Sequence, residues 1–235
     1  MDRLSQYSEF WLKFQKVVRG LSAPCQCFPQ SDLRLKPKDG CTGGNHVFVL
    51  KEPILLKGME CPSGSGLLDA IIEYEEHFDA SSYDVPVRAS VSVHYFHREP
   101  GIQWASKQLY SLRFDYHPQV GGGDGDPITH VQMDASPPNE CPPAYAKVIR
   151  QDSDARLVPS FKIFSRSHIP TPRMPLPAVL CFLMSDHYRK EVRTVIKETR
   201  DILTKISVPS VYAKWHQKCG IQQRSDSVGW AWYDY

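Results

Sequence analysis

Three segments in the middle of the chain alternate apolar and polar residues with a period of two. They cover residues 87–95, 109–117 and 129–134. Successive side chains of a β-strand point to opposite faces, so each segment predicts a strand with one buried face. If the three strands are neighbours, their polar positions share one face of a sheet. These positions include His94, Arg113, Asp115, His117, His130, Gln132 and Asp134.

Apolar residues at helical spacing predict helices at both ends of the chain. The N-terminal pattern begins at Leu4 and stops at Gly20, a residue that commonly ends a helix. The C-terminal third carries one apolar stripe over residues 176–184 and a second over 192–206, followed by a shorter helical pattern over 210–219. We therefore expect a helical C-terminal part.

Short apolar runs predict further strands between the first helix and the first alternating segment. They lie at residues 33–35, 46–50 and 54–56. Residues 67–78 fit the spacing of a helix or of a strand. We favour the strand, because residues 79–86 would then close a hairpin into the first alternating segment.

Length and composition predict one domain with one core. The chain has 235 residues, of which 41% are hydrophobic and 23% charged, close to globular averages. We expect a single α+β domain over residues 1–235, with a sheet-rich part at 30–165 and a helical part at 175–220. The predicted sheet is mostly antiparallel and has about five to seven strands. The N-terminal and C-terminal helices should cover one of its faces.

Charge and cysteine content limit the partners and the compartment. The net charge is +2 and the isoelectric point is near 8.1, below the value above ~9 that is typical of dedicated nucleic-acid binders. No run approaches the ~18 apolar residues of a membrane span, and the acidic Asp2 and Glu9 do not fit a secretory leader. Seven irregularly spaced cysteines favour reduced thiols. We expect a cytoplasmic protein without a membrane partner.

The polar side of the three alternating strands is the leading candidate site. Cross-strand neighbours have Cβ atoms ~4.5–5.5 Å apart, within reach of a common phosphate or scissile bond. His117 and His130 could act as acid and base, while Asp115 orients one of them and Arg113 clamps a phosphate. Two histidines and a carboxylate could also bind a metal, although we assign no metal or cofactor. The alternative is that this face is the ordinary solvated side of an antiparallel sheet.

A cysteine-rich segment supplies potential zinc ligands. Cys25, Cys27, Cys41 and His46 lie within 22 residues of one another. The single residue between the first two cysteines departs from the usual gap of ~2–4 residues in zinc sites. We therefore favour unlinked thiols in a loop.

Two patterns near the C-terminus suggest binding surfaces. A basic stripe on the predicted long helix could follow a phosphate backbone, although acidic residues on adjoining faces favour a solvated helix. The aromatic tail could stack on bases, dock into a partner or fold back on its own core. The stripe is Arg189, Arg193, Lys197 and Arg200, and the tail residues are Trp230, Trp232, Tyr233 and Tyr235.

Part of the alternating region resembles a known family. The run Leu112-Arg113-Phe114-Asp115-Tyr116-His117-Pro118, followed by Thr129-His130-Val131-Gln132, is similar to the RYD-x-x-H … H-x-H core of the TumE-like proteins of bacterial toxin–antitoxin operons. The similarity covers about 25 residues, and Gln132 stands where that core has a second histidine. The resemblance implies a bacterial defence or toxin–antitoxin setting.

Two functions of different classes follow. The first is a subunit of a bacterial defence or toxin–antitoxin assembly. Its main partner would be a protein, and nucleic acid is a further candidate partner. The second is a phosphodiesterase of the RNase type. In that enzyme His117 and His130 would move protons, Asp115 would orient a histidine, and Arg113 would stabilise the charged transition state.

Overall fold

The structure is a computed structural model, in which nine described strands follow one another along the chain between two helices. It describes residues 3–21, 25–30, 33, 35–37, 46–61, 66–79, 82–98, 101, 107–116, 129–134, 138–139, 168–170, 175–188, 193–194 and 197–198. Along the chain these form α1 (Arg3–Arg19), β1 (Gln26–Phe28), β2 (Leu35–Pro37), β3 (His46–Leu50), β4 (Ile54–Glu60), β5 (Leu67–Asp79), β6 (Ser82–Arg98), β7 (Lys107–Tyr116), β8 (Thr129–Asp134), β9 (His168–Pro170) and α2 (Leu176–His187).

A long hairpin of β5 and β6 lies at the centre of one sheet. The strand order is β1-β4-β5-β6-β7-β8-β9, and every pairing is antiparallel. β3 pairs with β5 beyond the end of β4, and β2 pairs with β3. With a helix from each end of the chain, this arrangement confirms the predicted α+β fold with a mostly antiparallel sheet.

The apolar face of the sheet packs against both helices. Trp11 and Phe14 of α1, Ile72 of β5, Val93 of β6 and Leu180 of α2 belong to one buried cluster. Burying a side chain of this size contributes roughly 1.5–3 kcal/mol. The predicted covering of one sheet face by terminal helices is thus confirmed for α1 and α2.

Polar atoms on the buried side of α1 find partners across the core. The hydroxyl groups of Tyr7 and Tyr74 lie 3.1 Å apart. Trp11 Nε1 donates to the Pro29 carbonyl at 3.2 Å, and Gln15 Nε2 donates to the same oxygen. These bonds fix α1 against β5 and the end of β1 and give its buried polar atoms partners.

The ambiguous segment at 67–78 is the strand β5, as favoured from its sequence. Leu68 and Tyr74 point to the helices, while Asp69 and Glu73 point to the other face. Of the predicted helix at 192–206, residues 193–194 and 197–198 are described and helical.

The predicted helix at 210–219 lies outside the described residues, and the domain bounds remain a prediction. None of the described helices is both long enough and apolar enough to span a membrane.

A bulge in β4 is built around Gly58. The register with β5 shifts between Lys57 and Met59, and Gly58 has a φ of 85°. Its N–H donates to Asp69 Oδ1 at 2.8 Å, and Arg98 Nε lies 3.2 Å from the same oxygen. Asp69 is fully buried, so the bulge and the guanidinium together compensate its charge.

Replacing Gly58 with alanine is expected to lower the free energy of unfolding by about 2–4 kcal/mol. A left-handed φ is unfavourable for any L-residue, and the new Cβ would lie 2.6 Å from Arg98 Nη2, which displaces the guanidinium from Asp69. Urea unfolding measures the loss. Gly101→Ala is the matched control, because its φ is 81° and no described atom lies within 4 Å of its Cβ, so only the backbone cost remains. Equal losses in the two variants would contradict the role assigned to the Asp69–Arg98 pair.

His187 ends α2 inside the core. Its ring centroid lies 5.8 Å from that of Tyr95, and its Nδ1 donates to the carbonyl oxygen of Glu60 at 2.8 Å. Burial lowers the pKa of His187, and this effect outweighs the hydrogen bond to Glu60, which favours the charged form. Burial also raises the pKa of Tyr95. Both groups are therefore held in their neutral forms.

The lowered pKa of His187 predicts a loss of stability in mild acid. As the pH falls through about 6.5, the unfolded chain binds a proton at His187 that the folded chain does not, so unfolding becomes more favourable. His187→Asn removes this titration and retains an N–H for the Glu60 carbonyl. Between about pH 7 and pH 5, the wild type should lose up to about 2 kcal/mol more of its unfolding free energy than the variant. Urea unfolding at both pH values measures this, and identical losses would show that His187 does not titrate as described.

Candidate functional site

The polar face of the sheet is buried at its centre. His94 is 3% exposed, Asp115 5% and His130 4%, although all three lie on the face opposite the helices. The interpretation of this face as an ordinary solvated surface is therefore wrong for these residues. Buried ionisable groups need hydrogen-bond or charge partners, and two clusters supply them.

A short piece of chain after β8 lies on this face. Pro138 is buried, and Asn139 Nδ2 donates to Glu73 Oε2 at 3.2 Å. Because Glu73 lies on β5, this contact places Asn139 on the polar face beside the central hairpin. It anchors Asn139 to the sheet.

The first cluster, called here the Arg113 cluster, consists of Arg113, Asp115, His130 and Gln132. Register places Gln132 opposite Arg113, and His130 opposite Asp115, on the neighbouring strands β7 and β8. Arg113 Nε donates to Asp115 Oδ2 at 2.7 Å, and Arg113 Nη2 donates to Gln132 Oε1 at 2.7 Å. His130 Nε2 lies 3.6 Å from the same Asp115 oxygen.

The two charges of the Arg113 cluster differ in exposure. The side chain of Asp115 is buried, whereas that of Arg113 is 43% exposed. Two hydrogen bonds, from Nε and from Nη2, hold the guanidinium in one orientation. An oriented guanidinium at a surface can receive an oxyanion with paired N–H donors. The cluster is therefore suited to bind a carboxylate or a phosphate.

The second cluster, called here the His94 cluster, consists of Glu73, His94, Gln108, Ser111 and Asn139. His94 Nδ1 and Ser111 Oγ lie 2.7 Å apart, and His94 Nε2 lies 3.2 Å from Glu73 Oε2. Gln108 Nε2 donates to Ser111 Oγ at 3.2 Å, while Asn139 donates to Glu73 from the other end. Hydroxyl, imidazole and carboxylate thus lie in series across β7, β6 and β5.

A bulge at Leu109 brings Gln108 into the His94 cluster. Tyr110 pairs with Tyr95 and Gln108 pairs with Phe96, so Leu109 is the additional residue on β7. In a regular strand, residues three apart point to opposite faces. The bulge returns Gln108 to the face that carries Ser111, as β-bulges commonly do when they redirect a side chain.

Sequence reasoning identified the Arg113 cluster more completely than the His94 cluster. Of the four predicted catalytic residues, the structure brings Arg113, Asp115 and His130 together, and His117 lies outside the described residues. His94 was a secondary candidate, and the serine and glutamate beside it were not identified. Both Ser111 and Glu73 lie on the polar side of segments that the sequence predicts as strands. Their contact with His94 depends on the pairing register, which does not follow from the sequence alone.

The predicted binding surfaces near the C-terminus are mostly outside the described residues. Arg193 and Lys197 are exposed residues in helical conformation, as the proposed basic stripe requires. Arg189, Arg200 and the tail residues Trp230, Trp232, Tyr233 and Tyr235 are not described. Both surfaces therefore remain predictions.

Of the four potential zinc ligands, Cys27 and His46 are not brought together, and Cys41 lies outside the described residues. Cys27 aligns through Leu56 with Ala70 of β5, whereas His46 pairs with Phe78, eight residues further along that strand. At about 3.3 Å per residue the two levels lie roughly 26 Å apart. Among the described residues, no cluster of three or more metal-ligating side chains occurs.

Cys25 and Cys27 instead form a buried thiol pair. A hydrogen bond from Cys27 lowers the pKa of Cys25, and the same bond raises the pKa of Cys27 because that thiol is the donor. Both residues are free cysteines in the apolar core. The two thiols are not joined in a disulfide, but the prediction that they lie in a loop is wrong for Cys27, which belongs to β1.

Comparison with protein-family models, with curated proteins and with solved structures gave no match. The resemblance of residues 112–132 to toxin–antitoxin proteins therefore stays a prediction. The chemistry of the two clusters is the basis for assigning a function.

Proposed function

We propose that the chain is a binding subunit of a toxin–antitoxin type assembly and that Arg113 receives a carboxylate of a protein partner. The observation that carries this proposal is the oriented, half-exposed guanidinium above a buried carboxylate. Because its orientation is already fixed, binding an oxyanion there loses little side-chain entropy. Arginine is also among the residues that most often dominate protein interfaces.

The charges around Arg113 favour a protein partner over a nucleic acid. Glu73, Glu75 and Asp115 lie on the same face of the sheet as Arg113. A nucleic-acid surface needs several cations along a phosphate backbone, and neighbouring carboxylates oppose that. A single carboxylate, entering at one guanidinium, needs no such stripe.

A second candidate function is phosphodiester cleavage, which the contact between His130 and Asp115 supports. A buried carboxylate beside an imidazole orients the ring. Asp115 lies 3.6 Å from Nε2 of His130, and His130 would be the group that exchanges a proton with substrate. Arg113, bonded to the same carboxylate, would stabilise the phosphorane-like charge.

Replacing Arg113 is expected to weaken partner binding strongly. The partner is sought among the proteins encoded beside the gene for this chain, since the toxin–antitoxin proposal implies a neighbouring gene. Arg113→Met should weaken binding by about 30-fold, the effect of losing about 2 kcal/mol at a dominant interface residue. Arg113→Lys should also weaken binding, by about 10-fold, because lysine retains the charge but not the planar pair of donors. Isothermal titration calorimetry measures both.

Arg88→Met is the control for general surface charge. Arg88 is exposed on the same face of the sheet, and its loss should change the affinity by less than about two-fold. Arg113→Met binding as tightly as wild type would contradict the proposal. A chain that remains a monomer with every neighbouring gene product would contradict it as well.

The cleavage candidate predicts that His130→Ala and His117→Ala each abolish hydrolysis of a single-stranded RNA while the melting temperature of His117→Ala stays unchanged. His130 is buried, so its variant needs a stability measurement beside the assay, and His130→Gln provides a less disruptive second variant. A fluorogenic oligoribonucleotide reports cleavage, and calorimetry reports the melting temperature. If both histidine variants cleave at the wild-type rate, or if the wild type does not cleave, this candidate is wrong.

A further inference from the structure

The ends of the His94 cluster determine the direction of its hydrogen bonds. Glu73 accepts from the Asn139 amide and, as a carboxylate, has no proton to donate to His94. His94 Nε2 must therefore carry the hydrogen that points to Glu73. In the neutral ring this leaves a lone pair on Nδ1, and the Ser111 hydroxyl donates to it at 2.7 Å.

We propose that Ser111 is an activated nucleophile, with His94 as its base and Glu73 as the residue that positions the base, in a site for carboxylic ester hydrolysis. A hydroxyl bonded to an imidazole that is itself oriented by a carboxylate is the general arrangement of a nucleophilic serine. Such an arrangement is identified by geometry and roles and not by order in the sequence. The two distances, 2.7 Å and 3.2 Å, are within the range of these contacts.

Gln108 supplies the donor that acyl transfer also requires. Backbone N–H groups near Ser111 are used by the sheet, because β7 is paired with a strand on each side. The Gln108 side-chain amide lies 3.2 Å from Ser111 Oγ and carries two N–H groups. A side-chain amide in that position can stabilise the oxyanion that forms on the carbonyl oxygen. The bulge at Leu109 is the feature that places this amide there.

Burial determines the class of substrate. Ser111 is 2% exposed, so an acyl group bound beside it leaves water, and a charged acyl group would lose its hydration there. The guanidinium of Arg113 extends toward Asp115, away from Ser111 along β7. The site is therefore suited to a small, uncharged ester.

The reaction proceeds through an acyl-serine. Ser111 Oγ forms a bond to the carbonyl carbon while its proton moves to His94 Nδ1, and the carbonyl π electrons move onto oxygen. Collapse of this intermediate breaks the bond to the alcohol, which leaves with the proton from His94. Water then attacks the acyl-serine, His94 takes a proton from it, and the carboxylic acid and free Ser111 are released.

Labelling with a small alkyl fluorophosphonate tests whether Ser111 is activated. The reaction forms a bond from Ser111 Oγ to phosphorus, expels fluoride and leaves the serine proton on His94. Mass spectrometry of the intact full chain should show one adduct, and peptide mapping should locate it on Ser111. Absence of an adduct on the wild type, or an adduct at another serine only, would overturn the proposal without any variant.

Substitutions of Ser111 and His94 test the roles of nucleophile and base one at a time. Ser111→Ala should abolish labelling, whereas Ser92→Ala, a serine on the same face of β6, should label at the wild-type rate. His94→Gln should lower the rate at least 100-fold, the lower end of a general-base contribution. A His94→Gln variant that is folded and labels like the wild type would overturn the assignment of the base.

Two substitutions of Glu73 distinguish a role in positioning His94 from a purely structural role. Glu73→Gln retains an oxygen for His94 but cannot stabilise the imidazolium, so labelling should fall about 10-fold or more at an unchanged melting temperature. Glu73→Asp restores a carboxylate and should recover part of the rate. Equally low labelling rates in Glu73→Gln and Glu73→Asp would contradict the positioning role of Glu73.

This inference is independent of the function proposed for Arg113. Labelling at Ser111 and calorimetric binding to a partner are separate measurements, so either proposal can fail while the other holds. Turnover of p-nitrophenyl acetate, with release of nitrophenolate that depends on Ser111, is the corresponding activity. Labelling without turnover would leave an activated serine but contradict ester hydrolysis.

Discussion

The register between β5 and β6 is the constraint on which the rest of the structure depends. These two strands form the longest pairing in the sheet, and all the other strands are added to one side or the other of this hairpin. Since side chains alternate between faces, a slip of β6 by one residue with β5 in place would move Val93 out of the core and put Ser92 or His94 into it, opposite Ile72. The pairing thereby determines the contents of both faces at once.

Both faces of the central strands are buried, and they are stabilised in different ways. One face packs apolar side chains against α1 and α2, where burial of area is favourable in any well-packed arrangement. The other face buries ionisable groups, which are tolerated only where specific partners meet them. The Arg113 cluster and the His94 cluster therefore add directional requirements to a register that apolar packing alone would specify less strictly.

The sequence predicted the elements of the sheet better than the relations between them. Alternation over 87–95, 109–117 and 129–134 was sufficient to predict β6, β7 and β8, because period-two patterns report which face is buried. Alternation does not report which residue stands opposite which. Glu73 meets His94 only because of the β5–β6 register, and no local pattern encodes that meeting.

The same limit explains why the contents of the polar face could not be predicted in full. A polar pattern predicts solvent, but the buried His130 and Asp115 are covered by partners that sequence reasoning could not place. Gln108 belongs by simple alternation to the opposite face from Ser111, and only the bulge at Leu109 corrects this. Bulges leave little trace in composition when the additional residue is not a glycine.

The break between β3 and β4 has a consequence for how this protein can change over evolution. Val49 of β3 pairs with Glu75 of β5, and Ile54 of β4 pairs with Ile72 of β5. The chain therefore advances five residues from Val49 to Ile54, whereas β5 advances three residues over the same distance. The surplus is two residues, an even number, and both halves therefore keep the same face toward the helices. A change of length here is compatible with the present core only where the chain absorbs it without turning β3, because Leu50 would otherwise leave the side of the sheet that packs on the helices. This short connection is thus a place where the fold limits which insertions and deletions it can accept.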